Sequence, residues 1–206
     1  MDRTEARHIE GIKKGDRQVM QEVYEMYRNK MFGICLRYSA GKEEASDFLH
    51  DGFLKVFTEF GKFKAGVPLE AWVATVIRNH TINQIRKAGR MKWTRVEESQ
   101  LEDATDDIDE NEQNRWMHSL SAEEVMAFMN ELPEKYRLIL NMYAVDGMSH
   151  AEIAEFTGMS EGTSKSQLSR ARVRLIELIR NYYQKKSESG KPKQVIKRNA
   201  VTYEPS

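Results

Sequence analysis

The sequence predicts an all-α protein: two small helical domains joined by a flexible acidic linker, with a helix-turn-helix in the second. Three observations carry this prediction. Apolar residues recur at spacings of three and four along most of the chain, as helices with one buried face require. Proline is scarce, with 4 in 206 residues, and no hairpin signal lies between alternating apolar flanks. Charge is unevenly spread: residues 1–95 hold 18 Lys/Arg against 12 Asp/Glu, residues 96–134 hold 1 against 13, and residues 135–206 hold 13 against 7. Although the whole chain is formally neutral, two basic blocks around an acidic one read as two lobes able to face polyanions. The predicted divisions are 1–95, a linker over 96–119, a second domain over 120–184 and a disordered basic tail over 185–206.

The first lobe is read element by element. From Asp16 to about Tyr38, the residues Val19, Val23, Met26, Tyr27, Met31, Ile34 and Cys35 mark one helical face. From about Lys42 to Phe60, a second face is formed by Phe48, Leu49, Phe53, Val56, Phe57 and Phe60. Gly61 to Pro68 is a short loop. Leu69, Trp72, Val73, Val76 and Ile77 then define a third helix reaching about Arg90, with Trp72 expected in the core. Residues 97–118 lack apolar periodicity and carry clustered acids, so they cannot bury enough surface to fold alone.

Helices resume at Ser121, where Ser121-Ala122-Glu123-Glu124 fits a capping box. Pro133 suits a first helical position, and Tyr136, Ile139, Leu140 and Tyr143 continue the pattern. Ser149 and Glu152 form a second capping box after the Asp146-Gly147 turn. Ala154 is small, as a close helix crossing demands, and Gly158 suits a left-handed turn. Ser160 can cap the last helix, whose buried stripe is Leu168, Ala171, Leu175, Leu178, Ile179 and Tyr182. Ser164 falls on that stripe, where an aliphatic residue would pack better.

Two faces carry nucleic-acid chemistry. Opposite the buried stripe of the last helix lie Gly162, Lys165, Ser166, Ser169 and Arg170, close to its N-terminus. Amides and hydroxyls there suit phosphates, while Lys or Arg suits guanine edges, so the partner is duplex DNA. A plain helical hairpin with a wet basic face is the alternative. On the third helix Thr75, Asn79, Asn83, Arg86 and Arg90 share one face, with Arg78, Lys87, Lys92 and Arg95 around them. Asn and Arg suit base edges and phosphates, and Trp93 could stack on an unpaired base. Alone, such a face is more often solvated helix.

Other functions lack their residues. The histidines (His8, His50, His80, His118 and His150) are dispersed without companion ligands, so no metal or other cofactor is expected. Neither a Walker-type phosphate loop nor a Gly-x-Ser-x-Gly turn is present, and no catalytic residue or enzyme is predicted. Cys35 is the single cysteine, which precludes an intrachain disulfide framework. No apolar signal region and no run approaching about 20 apolar residues is present, so the default is a soluble cytoplasmic protein without membrane insertion.

Particular motifs add a resemblance. In the first lobe they are Gly15-Asp16, Tyr24-x-x-Tyr27, Ala45-x-Asp47-x-Leu49-x-Asp51-x-Phe53-x-Lys55-Val56, Phe63, Trp72-x-x-x-Val76-Ile77-Arg78-Asn79 and Arg86-Lys87. In the second they are Leu132-Pro133, Gly147-Met148-Ser149, Glu152-Ile153-Ala154, Gly158-Met159-Ser160, Gly162-Thr163-x-Lys165-Ser166 and Ser169-Arg170-Ala171-Arg172. With these, residues 10–95 and 120–180 resemble the extracytoplasmic-function (group 4) sigma factors of the sigma-70 family.

The resemblance implies that core RNA polymerase and promoter DNA are the partners. Asp47, His50, Asp51 and Lys55 would meet the β′ clamp helices, and the β flap would be a further contact with core polymerase. The loop from Lys62 to Leu69, including Lys64, would hold a flipped base of the −10 element with Asn79. Asn83, Arg86 and Lys87 would contact the opening duplex. Gly162, Thr163, Lys165, Ser166, Ser169 and Arg170 would read the −35 element, and the linker would thread toward the RNA path. An anti-sigma protein is common in the family, though no residue demands one. A regulator binding duplex operators without polymerase is the rival reading.

The chain also departs from the family pattern. His50-Asp51 stands where Gln-Glu is usual. Ser164 and Gln167 replace the commoner Val and Arg, at an expected cost in packing and in one phosphate or base contact.

Overall fold

The computed structural model describes residues 3–90 and 120–189, so the acidic linker and the last residues of the tail lie outside the described residues. The chain divides into two units, Met1–Lys92 and Trp93–Ser206.

The first unit comprises α1 (Arg3–Lys13), α2 (Arg17–Tyr38), α3 (Lys42–Thr58), a 3-10 turn (Phe60–Lys62) and α4 (Leu69–Lys87). The apolar pattern starts only at Asp16, so α1 is an addition; it buries His8, Ile9, Gly11 and Ile12. A Cβ on Gly11 would lie 2.7 Å from Val19 Cβ, so a bare glycine lets α1 cross α2. Asp16 then caps α2 by accepting the Gln18 and Val19 amides at 2.9 and 3.3 Å.

Helices α2, α3 and α4 pack on one another around Val23, Met31, Cys35, Tyr38, Phe53, Val56, Val73, Ile77, Ile82 and Ile85. Three expectations are corrected here. Met26 is 53% exposed and lies off the buried face of α2. The buried stripe of α4 is Leu69-Val73-Ile77-Ile82-Ile85, which leaves Trp72 and Val76 half-buried at its edge. Helix α4 stops at Lys87 rather than near Arg90. Gly89 (φ +74°) turns the chain there, its amide reaching the Arg86 carbonyl at 3.0 Å while the Arg90 amide reaches Ile85 at 3.3 Å. Burial pushes the Cys35 thiol up to about 11, opposed by its contact with Thr81, so it stays protonated at neutral pH.

Helix α4 begins without a cap of its own, since Pro68 has no side-chain acceptor. The acceptor comes from α1, where Glu5 Oε1 takes the Leu69 amide at 2.6 Å. Lys30 of α2 pairs with Glu70 beside it.

The second unit comprises α5 (Ala122–Glu131), α6 (Glu134–Leu140), a π-turn (Asn141–Val145), α7 (His150–Thr157) and α8 (Glu161–Ser189). Both capping boxes form, with Glu124 N–H to Ser121 Oγ and Glu152 N–H to Ser149 Oγ each at 3.2 Å. Pro133 is the cap of α6, one place before its first helical residue. Gly158 turns the chain between α7 and α8 at φ +79°. Phe128, Met129, Leu138, Ile139, Met142, Ile153, Leu168, Ala171 and Ile179 form the core, with Leu175, Leu178 and Tyr182 half-buried around it. Helix α8 continues to Ser189, so the expected tail begins as helix.

Removing the borrowed cap should be measurable. Glu5→Ala is expected to lower stability by about 1 kcal/mol in thermal denaturation, while Glu5→Gln, whose carbonyl can still accept, should lose less. Equal losses would assign the effect to charge instead of the hydrogen bond.

Candidate nucleic-acid interface

Because its stripe is locked inward, α4 holds its other side in fixed directions. Thr75, Arg86 and Lys87 are exposed there, and Asn79 and Asn83 are half-buried. Arg78 Nε donates to Asn79 Oδ1 at 3.3 Å, which orients the carboxamide. Arg90 does not belong to this face. Lying beyond the helix end, it donates from Nη1 to Glu44 Oε1 at 2.7 Å and from Nη2 to the Tyr38 carbonyl at 3.5 Å, with its side chain 18% exposed. The second Glu44 oxygen accepts the Ala40 amide at 2.6 Å, so the pair ties the end of α4 to the start of α3. Lys92, Trp93 and Arg95 lie outside the described residues.

The loop before α4 is clamped at its base by three rings. Phe60 and Phe63 stack at 5.2 Å, and Trp72 meets them edge-on at 5.3 and 5.5 Å. Trp72 therefore supports the loop instead of filling the core. Past this clamp Lys64, Ala65, Gly66 and Val67 are exposed, with Gly66 at φ +93°.

The outer face of α3 carries Asp47, His50 and Asp51, all exposed, with Lys55 half-buried and 3.7 Å from Glu59. Lys62 first, and Lys55 after it, hold the Glu59 carboxyl below its usual range. Leu54, 64% exposed, stands among these polar groups and was missed by the sequence reading. Its signal was positional: it falls three and four residues after Asp51 and His50, off the apolar stripe formed by Phe48, Leu49, Phe53 and Val56. His80 of α4, weighed in sequence only as a metal ligand, is held below the ordinary histidine range by burial and then by Lys55, so it is neutral at pH 7.

In the second unit Ser160 caps α8, its Oγ accepting the Thr163 amide at 3.0 Å and lying 2.9 Å from Thr163 Oγ1. Ser166 Oγ donates to the Thr163 carbonyl at 3.0 Å. Gly162, Lys165 and Ser169 are exposed, while Thr163, Ser166 and Arg170 are half-buried. Both departures from the family pattern are buried on this helix. Gln167 is 2% exposed, so its own side chain is turned away from solvent. Ser164 is fully buried, as its place on the stripe requires, and its hydroxyl has a partner, lying 2.9 Å from His150 Nδ1.

Family models match both units: Sigma-70 region 2 over residues 23–91, and Sigma-70, region 4 over residues 122–175. The chain belongs to the sigma-70 family. The first match contains α3, the clamped loop and α4, and the second contains the crossing of α7 with the start of α8. Helix α1 precedes both.

This sigma factor is similar to the ECF RNA polymerase sigma factor SigW of Bacillus subtilis, with 24% identity over 85% of this chain and 96% of the relative. It is also similar to SigM of the same organism, with 27% identity over 76% and 92%. With these relatives it falls in the extracytoplasmic-function group. Among solved structures it is similar to the sigma factor RpoE from Bartonella quintana, in complex with the anti-sigma factor NepR. That likeness has 26% identity, covers 78% of this chain and 96% of the other, and has a TM-score of 0.46.

The Arg90–Glu44 tie gives a prediction that separates structure from DNA contact. Arg90→Ala and Glu44→Ala should each cost about 1 kcal/mol in denaturant unfolding, and the double variant little more than either. Additive losses would return Arg90 to the solvent-facing set.

Proposed function

We propose that this sigma factor directs core RNA polymerase to promoters by dividing the work among three faces. The observation that carries the reading is α4, whose buried stripe aims Asn79, Asn83, Arg86 and Lys87 outward beside the clamped loop with Lys64. That arrangement suits a −10 strand being opened. A base leaving the stack costs a few kcal/mol, which hydrogen bonds from Asn79 and the loop backbone would offset. Arg86 and Lys87 supply phosphate attraction to the adjoining duplex.

Gly162, Thr163, Lys165, Ser166, Ser169 and Arg170 at the start of α8 form the −35 reader. The tied hydroxyls of Thr163 and Ser166 shape the helix start, and the exposed Lys165 and Ser169 reach the groove. Asp47, His50, Asp51 and Lys55 form the docking face for the β′ clamp helices, with exposed Leu54 as its apolar centre. The second unit takes the β flap, and a protein of the anti-sigma class belongs to the same reading as a competing partner. Polymerase performs the chemistry, so the factor contributes binding energy and no catalytic group. It works in the cytoplasm, where its polymerase and DNA are; among the described residues no helix is long and apolar enough to cross a membrane. An operator-binding regulator would leave the α3 and α4 faces without a task.

Run-off transcription with purified core polymerase tests the whole reading: transcripts should depend on the added factor, and their absence from every genomic promoter would overturn it. Lys165→Ala with Arg170→Ala should weaken upstream binding and reduce the log–log salt slope by about two, since each lost phosphate contact removes about one. An unchanged slope would move both residues off the phosphates. Asn79→Ala should slow promoter opening, read by permanganate reactivity, with core binding intact. A parallel loss of core binding would point to a damaged fold.

A further inference from the structure

We infer that Ser164 and His150 form a polar clasp that positions the recognition helix α8 for base reading. This rests on the assignment of α8 to the −35 element.

Ser164 lies in the first turns of α8 with no exposed surface, where an unpartnered hydroxyl would be costly. Its partner is His150, the first residue of α7, at 2.9 Å. The His150 ring stacks on Tyr143 of the π-turn, with centroids 4.8 Å apart and planes 25° apart. The Arg172 guanidinium lies 5.5 Å from the centre of that same Tyr143 ring. Arg172 is about two turns beyond Ser164 on α8. The chain of contacts therefore leaves α8 at Ser164, passes through α7 and the π-turn, and returns to α8 at Arg172.

Two attachments on one helix, about two turns apart, fix its rotation about its own axis as well as its position. An aliphatic residue at 164 would hold α8 by contact alone, which tolerates small rotations. A hydrogen bond is directional and weakens steeply off-axis. The hydroxyl both donates and accepts, so it can serve either histidine tautomer. Base edges are read by hydrogen bonds of fixed geometry, whereas phosphate attraction tolerates displacement. The clasp thus acts on sequence discrimination more than on overall affinity. Neither Ser164 nor His150 needs to touch DNA for this, and both are positioning residues.

The test uses holoenzyme reconstituted with the full chain and a promoter that it transcribes, with six upstream base pairs randomised and the transcribed templates sequenced. Ser164→Val fills the same site with an apolar side chain; His150→Phe keeps a ring against Tyr143 but removes the hydrogen bond. Wild type should discriminate about tenfold per read position. Each variant should fall to roughly twofold while total transcription from the pool stays near wild type, and the double variant should be no worse than either. Ser164→Val should keep the melting temperature near wild type, whereas His150→Phe, which strands the buried Ser164 hydroxyl, should lower it. Wild-type discrimination in both variants, or losses that add in the double, would overturn the clasp. A wild-type holoenzyme with no upstream preference would instead overturn the −35 assignment on which it rests.

Discussion

In the first unit the functional faces depend on how α4 is buried. Leu69, Val73, Ile77, Ile82 and Ile85 are all fully removed from solvent against α2 and α3. Burying a side chain of this size contributes about 1.5–3 kcal/mol. A stripe of five therefore fixes the rotation of the helix far more firmly than solvation of its polar side could. Once that rotation is set, Asn79, Asn83 and Arg86 can point only where they do. The same burial brings α3 close: a Cβ on Gly52 would lie 3.0 Å from Ile77 Cγ1, so a larger residue there would press α3 away from α4.

The ends of these helices need as much attention as their middles, because the first amides of any helix have no partner within it. Helices α5 and α7 solve this locally with Ser-x-x-Glu boxes. Helix α4 solves it at a distance, through Glu5, and the Arg90–Glu44 pair then holds its far end. A helix fixed at both ends and along one side makes a stiff platform, which suits the role in promoter opening proposed for α4. The region 2 match begins after α1, yet α1 supplies one of those fixings.

The second unit is built on a shorter crossing. Gly158 reverses the chain, Ser160 starts α8, and the interior of the crossing holds both apolar and polar groups. Ser164 and Gln167, which look like losses when the family pattern is the guide, are interior residues of that crossing. The polar pair in place of an apolar contact exchanges tolerance for direction, which suits the base-reading role proposed for α8.

Features that depend on residues close together in the chain could be read directly from the sequence. Helical periodicity, both capping boxes, the Gly158 turn and the Ser160 cap were legible, because their hydrogen bonds span only a few residues. The basic and amide-bearing faces of α4 and α8 were legible for the same reason: side chains three or four apart share a face whatever surrounds them. The tertiary structure decided partnership and burial, which depend on residues far apart. Only the packing shows that Met26 faces solvent and that Trp72 braces a loop. The same holds for Arg90 bound to Glu44, for α4 capped by Glu5, and for Ser164 with its histidine. In each case the energy of a side chain is set by a neighbour that the local sequence does not contain.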